Sequence, residues 1–206
     1  SFTTKLPAVL ETGPFDNSWH VAPTTPITVT FNQPMNHASA EAAFSLLGLS
    51  DSPEPGTFRW QGNSMIFTPA SPLKLGTRYR ARVAAGALSA NGTSGTAHDY
   101  EWIFTVIAAP RIVETRPHNG ELQADPYTAL QVTFSSPMDP STLHDNLTII
   151  PEPTEVYSSW SGANTRLWLS FGAKPSSSYR VTFGAGLAGR YGHRLGQPYT
   201  ISFTTR

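Results

Sequence analysis

The chain of 206 residues carries 14 basic and 14 acidic side chains, so it has no net charge and no global field to draw it to nucleic acid or an anionic membrane. It has no cysteine, which excludes disulfides, thiolate chemistry and zinc–thiolate sites, and no run of about 18 apolar residues long enough to suggest direct membrane insertion. With 18 Pro, 16 Gly and 14% charged residues, the composition suits short strands joined by many turns rather than long amphipathic helices.

Residues 1–5, Ser-Phe-Thr-Thr-Lys, match the closing Ser202-Phe203-Thr204-Thr205-Arg206. Residues 1–6 are therefore read as the tail of a preceding repeat or a linker; chance recurrence of a Thr-rich strand is the other reading. Ala8 to Thr12 predicts a first strand, turned by Gly13-Pro14 and Asp16-Asn17-Ser18. In Ile27-Thr28-Val29-Thr30-Phe31 apolar and polar residues alternate, the period of a strand with one buried face. Pro34 ends that run by removing a ladder donor, and Met35 is placed to fill space at its end.

A short segment from Asn36 to Ala43 is read as holding one helical turn, and Phe44 to Leu47 as the third strand. After a loop at 51–56, Thr57 to Trp60 and Met65 to Phe67 form a hairpin across Gln61-Gly62-Asn63-Ser64, whose Gly and Asn suit positive φ. Leu73-x-x-Gly76-Thr77-x-Tyr79 has the form of a tyrosine corner, with the ring packed inward and its hydroxyl bonded to upstream backbone. Tyr79, Ala81 and Val83 are then expected inward, and Arg78, Arg80 and Arg82 outward. Tyr100 to Thr105 is the last strand of a set of seven.

The strand at 27–31 returns as Leu130-Gln131-Val132-Thr133-Phe134, again followed by Pro137-Met138, 103 residues on. Trp160 answers Trp60, Tyr179 answers Tyr79, and Phe203-Thr204 answers Phe104-Thr105. The chain is thus a tandem repeat, and the fold class is all-β: two tandem immunoglobulin-like β-sandwich domains of about seven strands each, over 7–107 and 108–206. The joint, Ile107 to Arg111, is short, apolar and holds a Pro, so a semi-rigid rod is expected.

No constellation of residues makes a strong case for catalysis, a cofactor or a metal. Ser71-Pro72-Leu73-Lys74 has the Ser-x-x-Lys spacing of acyl-transferring enzymes, but that chemistry needs a helix start, and a turn before a strand is the better reading. The six histidines are scattered without metal-ligand spacing, and His98-Asp99 has no nucleophile tied to it. Asp51 with Glu54, and Glu152 with Glu155, lie in Pro-rich loops rather than in a glycosidase setting. Loop oxygens of Asp139, Asp145 and Asn146 offer a weak calcium candidate. The stripe of Arg78, Arg80 and Arg82 reads as a solvated sheet face. Asn91-Gly92-Thr93 and Asn146-Leu147-Thr148 are glycosylation acceptors only where the source has that machinery. Trp60, Trp160 and Trp102 are expected in the core; Trp19 and Trp168 lack aromatic counterparts in the other repeat and are the candidates for an exposed ligand platform.

Val29-Thr30-Phe31-x-x-Pro34-Met35, Phe67-x-Pro69 with Leu73-x-x-Gly76-Thr77-x-Tyr79, and the closing Phe-Thr strands resemble bacterial Ig-like modules of the S-layer type, over nearly all of both halves. Repeat two, with Pro151-x-Pro153-Thr154-x-Val156-Tyr157-x-x-Trp160 and Leu169-Ser170-Phe171, also resembles modules of large bacterial alpha-2-macroglobulin-like protease traps, whose reactive thioester requires a Cys and so cannot lie here. Where such modules usually have Tyr-Gly-Asn-Pro-Leu, this chain has Tyr191-Gly192-His193-Arg194-Leu195, which keeps the turn and loses the Asn. The resemblance implies a non-catalytic spacer in a larger secreted or cell-envelope protein. Its partners would be neighbouring domains of the parent chain, with a monomeric fragment expected. The alternative is an adhesion module that binds glycan or another protein through end loops or exposed Trp.

Overall fold

The computed structural model describes residues 5–49 and 52–206. The match between residues 1–5 and the C-terminal strand, and Asp51 of the first carboxylate pair, fall on residues outside those described, residue 5 apart. Two compact units divide the chain, Ser1–Ile107 and Ala108–Arg206.

The first unit holds β1 (Val9–Gly13), β2 (Ser18–Val21), β3 (Ile27–Phe31), the helix α1 (His37–Ala43), β4 (Phe44–Leu47), β5 (Gly56–Gln61), β6 (Ser64–Pro69), β7 (Arg78–Val83) and β8 (Tyr100–Val106). They form two four-stranded sheets, ordered β1-β3-β6-β5 and β2-β8-β7-β4. The alternation at 27–31 does what its period requires: Ile27, Val29 and Phe31 are buried while Thr28 and Thr30 are half-buried on the other face. Opposite them, Tyr79, Ala81 and Val83 close the core from β7, and Trp102 and Phe104 from β8. Burying each such large side chain stabilises the unit by roughly 1.5–3 kcal/mol.

One element departs from the expected seven. Ser18–Val21 is an eighth strand, parallel to β8, where the sequence suggested only a turn. Ser-Trp-His-Val is too short to signal a strand, and its alternation does not become burial: a bulge interrupts the edge strand, so Trp19 is exposed and only Val21 joins the core. The hairpin turn differs in detail too: Gly62 takes positive φ and Asn63 does not. Asn36 caps α1, its Oδ1 accepting from the Ser39 N–H at 3.0 Å.

The second unit holds β9 (Ile112–Arg116), β10 (Leu130–Phe134), two 3-10 turns (Pro140–Thr142 and His144–Asn146), β11 (Leu147–Ile150), β12 (Tyr157–Ser161), β13 (Arg166–Ser170), β14 (Ser178–Phe183) and β15 (Tyr199–Thr204). Its sheets run β12-β13-β10-β9 and β11-β14-β15. Residues 119–124 follow the outer edge of β15, with Gly120 N–H on Ser202 O and Ala124 N–H on Thr204 O, the place β2 takes in the first unit. Its core is built separately, from Leu130, Val132, Phe134, Leu167, Leu169, Tyr179, Val181, Phe183, Ile201 and Phe203.

Paired roles run through both units. Met35 and Met138 are buried at the ends of their strands. Phe31 stacks on Trp60 and Phe134 on Trp160, with ring centroids 6.1 and 5.7 Å apart. Asp16 accepts from Ile103 N–H at 2.9 Å and Asn119 accepts from Ser202 N–H at 2.8 Å, each tying the first turn to the last strand.

Candidate functional site

Both tyrosine corners are formed. Tyr79 Oη accepts from the Lys74 N–H at 3.0 Å, and Tyr179 Oη from the Lys174 N–H at 2.8 Å. In the first unit the Glu54 carboxylate also lies near the buried Tyr79 hydroxyl. Burial raises the Tyr79 pKa above 10; the Lys74 N–H opposes that shift, and the Glu54 carboxylate adds to it. This corner accounts for Lys74 and Glu54. Residues 71–74 run irregularly into a turn at 75–76 rather than opening a helix, so the Ser-x-x-Lys spacing lacks the geometry for acyl transfer.

Other candidate groups are likewise engaged in local structure. Asp139 accepts from the Ser141 N–H and hydroxyl at 3.0 and 2.7 Å, which hold its carboxyl below the usual 3.8. Asn146 donates to Thr142 O at 2.8 Å and packs its Oδ1 against Gly184 and Gly186. Among the described residues, no three His, Cys, Asp or Glu side chains gather as a metal site would require. Asn91 closes its own turn by accepting from Ser89, Thr93 N–H and the Thr93 hydroxyl. Asp99 accepts from the Ala85 N–H and from Arg82, which lower its pKa below 3.8. Arg82 also reaches Glu101 at 3.5 Å, so the expected arginine stripe shrinks to Arg78 and Arg80.

The tryptophans sort by position. Trp102 is in the core, as expected. Trp60 is half-buried at the core's rim rather than within it: it lies on His37, with rings 4.1 Å apart and 4° from parallel, and donates from Nε1 to Glu41 at 2.8 Å. Trp160 is half-buried too. Trp19 is 75% exposed, placed by the β2 bulge together with His20, whose φ is +59° and whose ring lies 4.6 Å away. Trp168 is half-buried on the outer face of β13, opposite Gln131 and Ser159. The two belong to different units and are described separately.

Open spaces adjoin the second unit. One, of about 420 Å³, is lined by Glu152, Glu155, Tyr157, Phe171, Lys174 and Tyr179. Tyr157 donates to Glu155 at 2.6 Å, a bond to a carboxylate that raises the phenol's pKa. A second, of about 520 Å³, lies along the whole of β11 between that strand and Pro153 and Val156. Sequence reading passed over this region because it weighed Glu152 and Glu155 only as a catalytic pair; the shorter loop after β11, compared with the one after β4, was the available signal.

The bacterial Ig-like domain model matches residues 3–106 and again residues 107–205. The chain belongs to this family, in two tandem copies. None of the curated proteins matches it. Among solved structures, these Ig-like units are similar to a fragment of Escherichia coli alpha-2-macroglobulin spanning domains MG0-NIE-MG1, at 14% identity and a TM-score of 0.41, over 98% of this chain and 72% of that one. The N-terminal part of the bacterial S-layer protein SbsC matches at 15% and 0.39, over 97% and 44%. L,D-transpeptidase 1 of Mycobacterium tuberculosis matches at 17% and 0.35, over 76% of this chain and 62% of its own, so the chain spans less than two thirds of that enzyme's length.

Proposed function

We propose that the two Ig-like units form a non-catalytic spacer or support in a larger secreted or cell-envelope protein. The observation that carries this reading is that each unit closes its own core with its own tyrosine corner and with two recurring aromatic pairs, Phe31–Trp60 and Tyr79–Phe104 in the first and Phe134–Trp160 and Tyr179–Phe203 in the second. Of the groups weighed for catalysis, Lys74 donates its N–H to the tyrosine corner, Asp99 accepts from the Ala85 N–H and Arg82, and Glu155 accepts from Tyr157. The Pro- and Trp-bearing pattern of residues 151–171 makes an alpha-2-macroglobulin-like protease trap one candidate parent, beside the S-layer type that the motifs of both repeats resemble. In pulling experiments on the whole chain, two separate unfolding events are expected, each releasing about 35 nm of chain at roughly 3.5 Å per residue. A single event releasing the whole length would overturn the reading.

A second reading, an adhesion module for glycan or protein, is favoured by Trp19, a large ring held out on a bulge. Titrating the chain with a broad panel of oligosaccharides while following tryptophan fluorescence tests the glycan form. It requires a saturable change that Trp19→Ala abolishes.

A further inference from the structure

The two units treat one sheet edge differently. In the first, the outer edge of β4 is covered by the chain itself: Pro53 bridges Leu47 in antiparallel sense, and Glu54 N–H donates to Leu46 O at 2.8 Å. The same segment then sends the Glu54 side chain to the Tyr79 hydroxyl. In the second unit β11 is the corresponding edge strand, paired on one side only, with β14. Because Gly184 N–H bonds Asn146 O, the alternation of an antiparallel ladder turns Thr148 and Ile150 toward β14 and leaves the backbone of Leu147 and Ile149 facing outward. Among the described residues, no bond like that from Glu54 to Leu46 reaches Ile149. The loop from Pro151 to Val156 stands off, and the space of about 520 Å³ follows β11 where Pro53 and Glu54 lie in the first unit.

Apolar side chains border that space. Ile150 is 56% exposed and Val156 is 42% exposed, an unusual dressing for a free edge, which proteins commonly blunt with Lys, Pro or a covering segment. Beyond the end of β11, Tyr179 lines the neighbouring cavity of about 420 Å³, with Glu152 and Glu155 on its walls.

We propose that the outer edge of β11 is a strand-addition site for an extended peptide segment of a partner protein, which takes the place that Pro53 and Glu54 fill in the first unit. Such a segment exchanges up to four main-chain hydrogen bonds with Leu147 and Ile149 and lays apolar side chains against Ile150, Pro153 and Val156.

The test pans a random linear peptide library on the whole chain. Counter-selection uses a variant in which the sequence of residues 48–56 replaces Pro151 to Val156, so that the second unit covers its own edge. Expected are enriched peptides that slow amide exchange at Leu147 and Ile149 at least tenfold. Their affinity should fall at least tenfold when alternate peptide amides are methylated, and likewise on the grafted protein. Ile150→Lys/Val156→Lys, which alters only exposed positions, gives the same block should the graft not fold. The proposal is overturned by an absence of enriched peptides, or by peptides that bind without slowing those two amides. It is equally overturned if the two amides become protected in the chain alone as its concentration rises, since the occupant is then a second copy.

Discussion

Removing one hydroxyl at equivalent places in the two units should cost them different amounts. Tyr79→Phe deletes an acceptor for the Lys74 N–H and a hydroxyl near the Glu54 carboxylate; Tyr179→Phe deletes only the acceptor for the Lys174 N–H. A neutral hydrogen bond contributes about 1 kcal/mol net. Glu54 is half-buried and only adjoins the hydroxyl, so it adds about 0.5 kcal/mol, the scale of a partly solvated charge interaction. Tyr79→Phe is therefore expected to destabilise its unit by about 1.5 kcal/mol and Tyr179→Phe by about 1 kcal/mol. For domains of this size those losses correspond to shifts in Tm of about 8 °C and about 5 °C. Pulsed hydrogen exchange through a urea series, with peptides assigned to each unit, reads both midpoints in one sample. Glu54→Gln, which keeps an acceptor but not the charge, should fall between wild type and Tyr79→Phe. Equal losses in the two units, or no effect of Glu54→Gln, would refute the assignment of Glu54 to the corner.

Further outcomes follow from the same geometry. Above pH 10 the unfolded chain ionises Tyr79 while the folded unit keeps it protonated, so the first unit should lose stability as pH rises through that range; urea midpoints for Tyr79→Phe should show a shallower loss. Asn36→Ala should cost the first unit about 1 kcal/mol by leaving the Ser39 N–H uncapped, and Asn36→Asp much less, both read by chemical denaturation. Gly56→Ala should cost about 1–3 kcal/mol, because its new Cβ would lie 2.4 Å from the Phe67 ring and 2.5 Å from Thr68 O. Gly62, whose Cβ position is open but whose φ is +58°, tests backbone conformation instead: Gly62→Ala should cost about 1 kcal/mol by thermal melting, and Gly62→Asn less.

Much of the fold was legible because buried faces leave a period. The alternation at Ile27, Val29 and Phe31 and its copy at Leu130, Val132 and Phe134 locate the central strands, and Gly76-Thr77-x-Tyr79 announces the corner whose bond the structure contains. What escaped lacks that period. Ser18–Val21 puts only Val21 into the core, and its bulge sets Trp19 outward, so only the missing aromatic counterpart in repeat two marked it. The placement of Trp60 was half legible: its recurrence as Trp160 pointed to packing, but the Glu41 and His37 contacts that hold it at the rim come from a helix whose side chains give no strand signal.

The open edge of β11 escaped for a different reason. A strand's own sequence fixes which side chains it buries, but not whether the next segment returns to pair with it; that depends on the length and path of the loop. Gly48 to Pro55 is long enough to turn back, so Glu54 reaches Leu46 and its carboxylate meets Tyr79; Pro151 to Val156 goes directly into β12. Two units with the same core plan thus differ where loop length decides the outcome. The first unit is the internal control for the second, showing which backbone groups at this edge an extended segment engages once it is present.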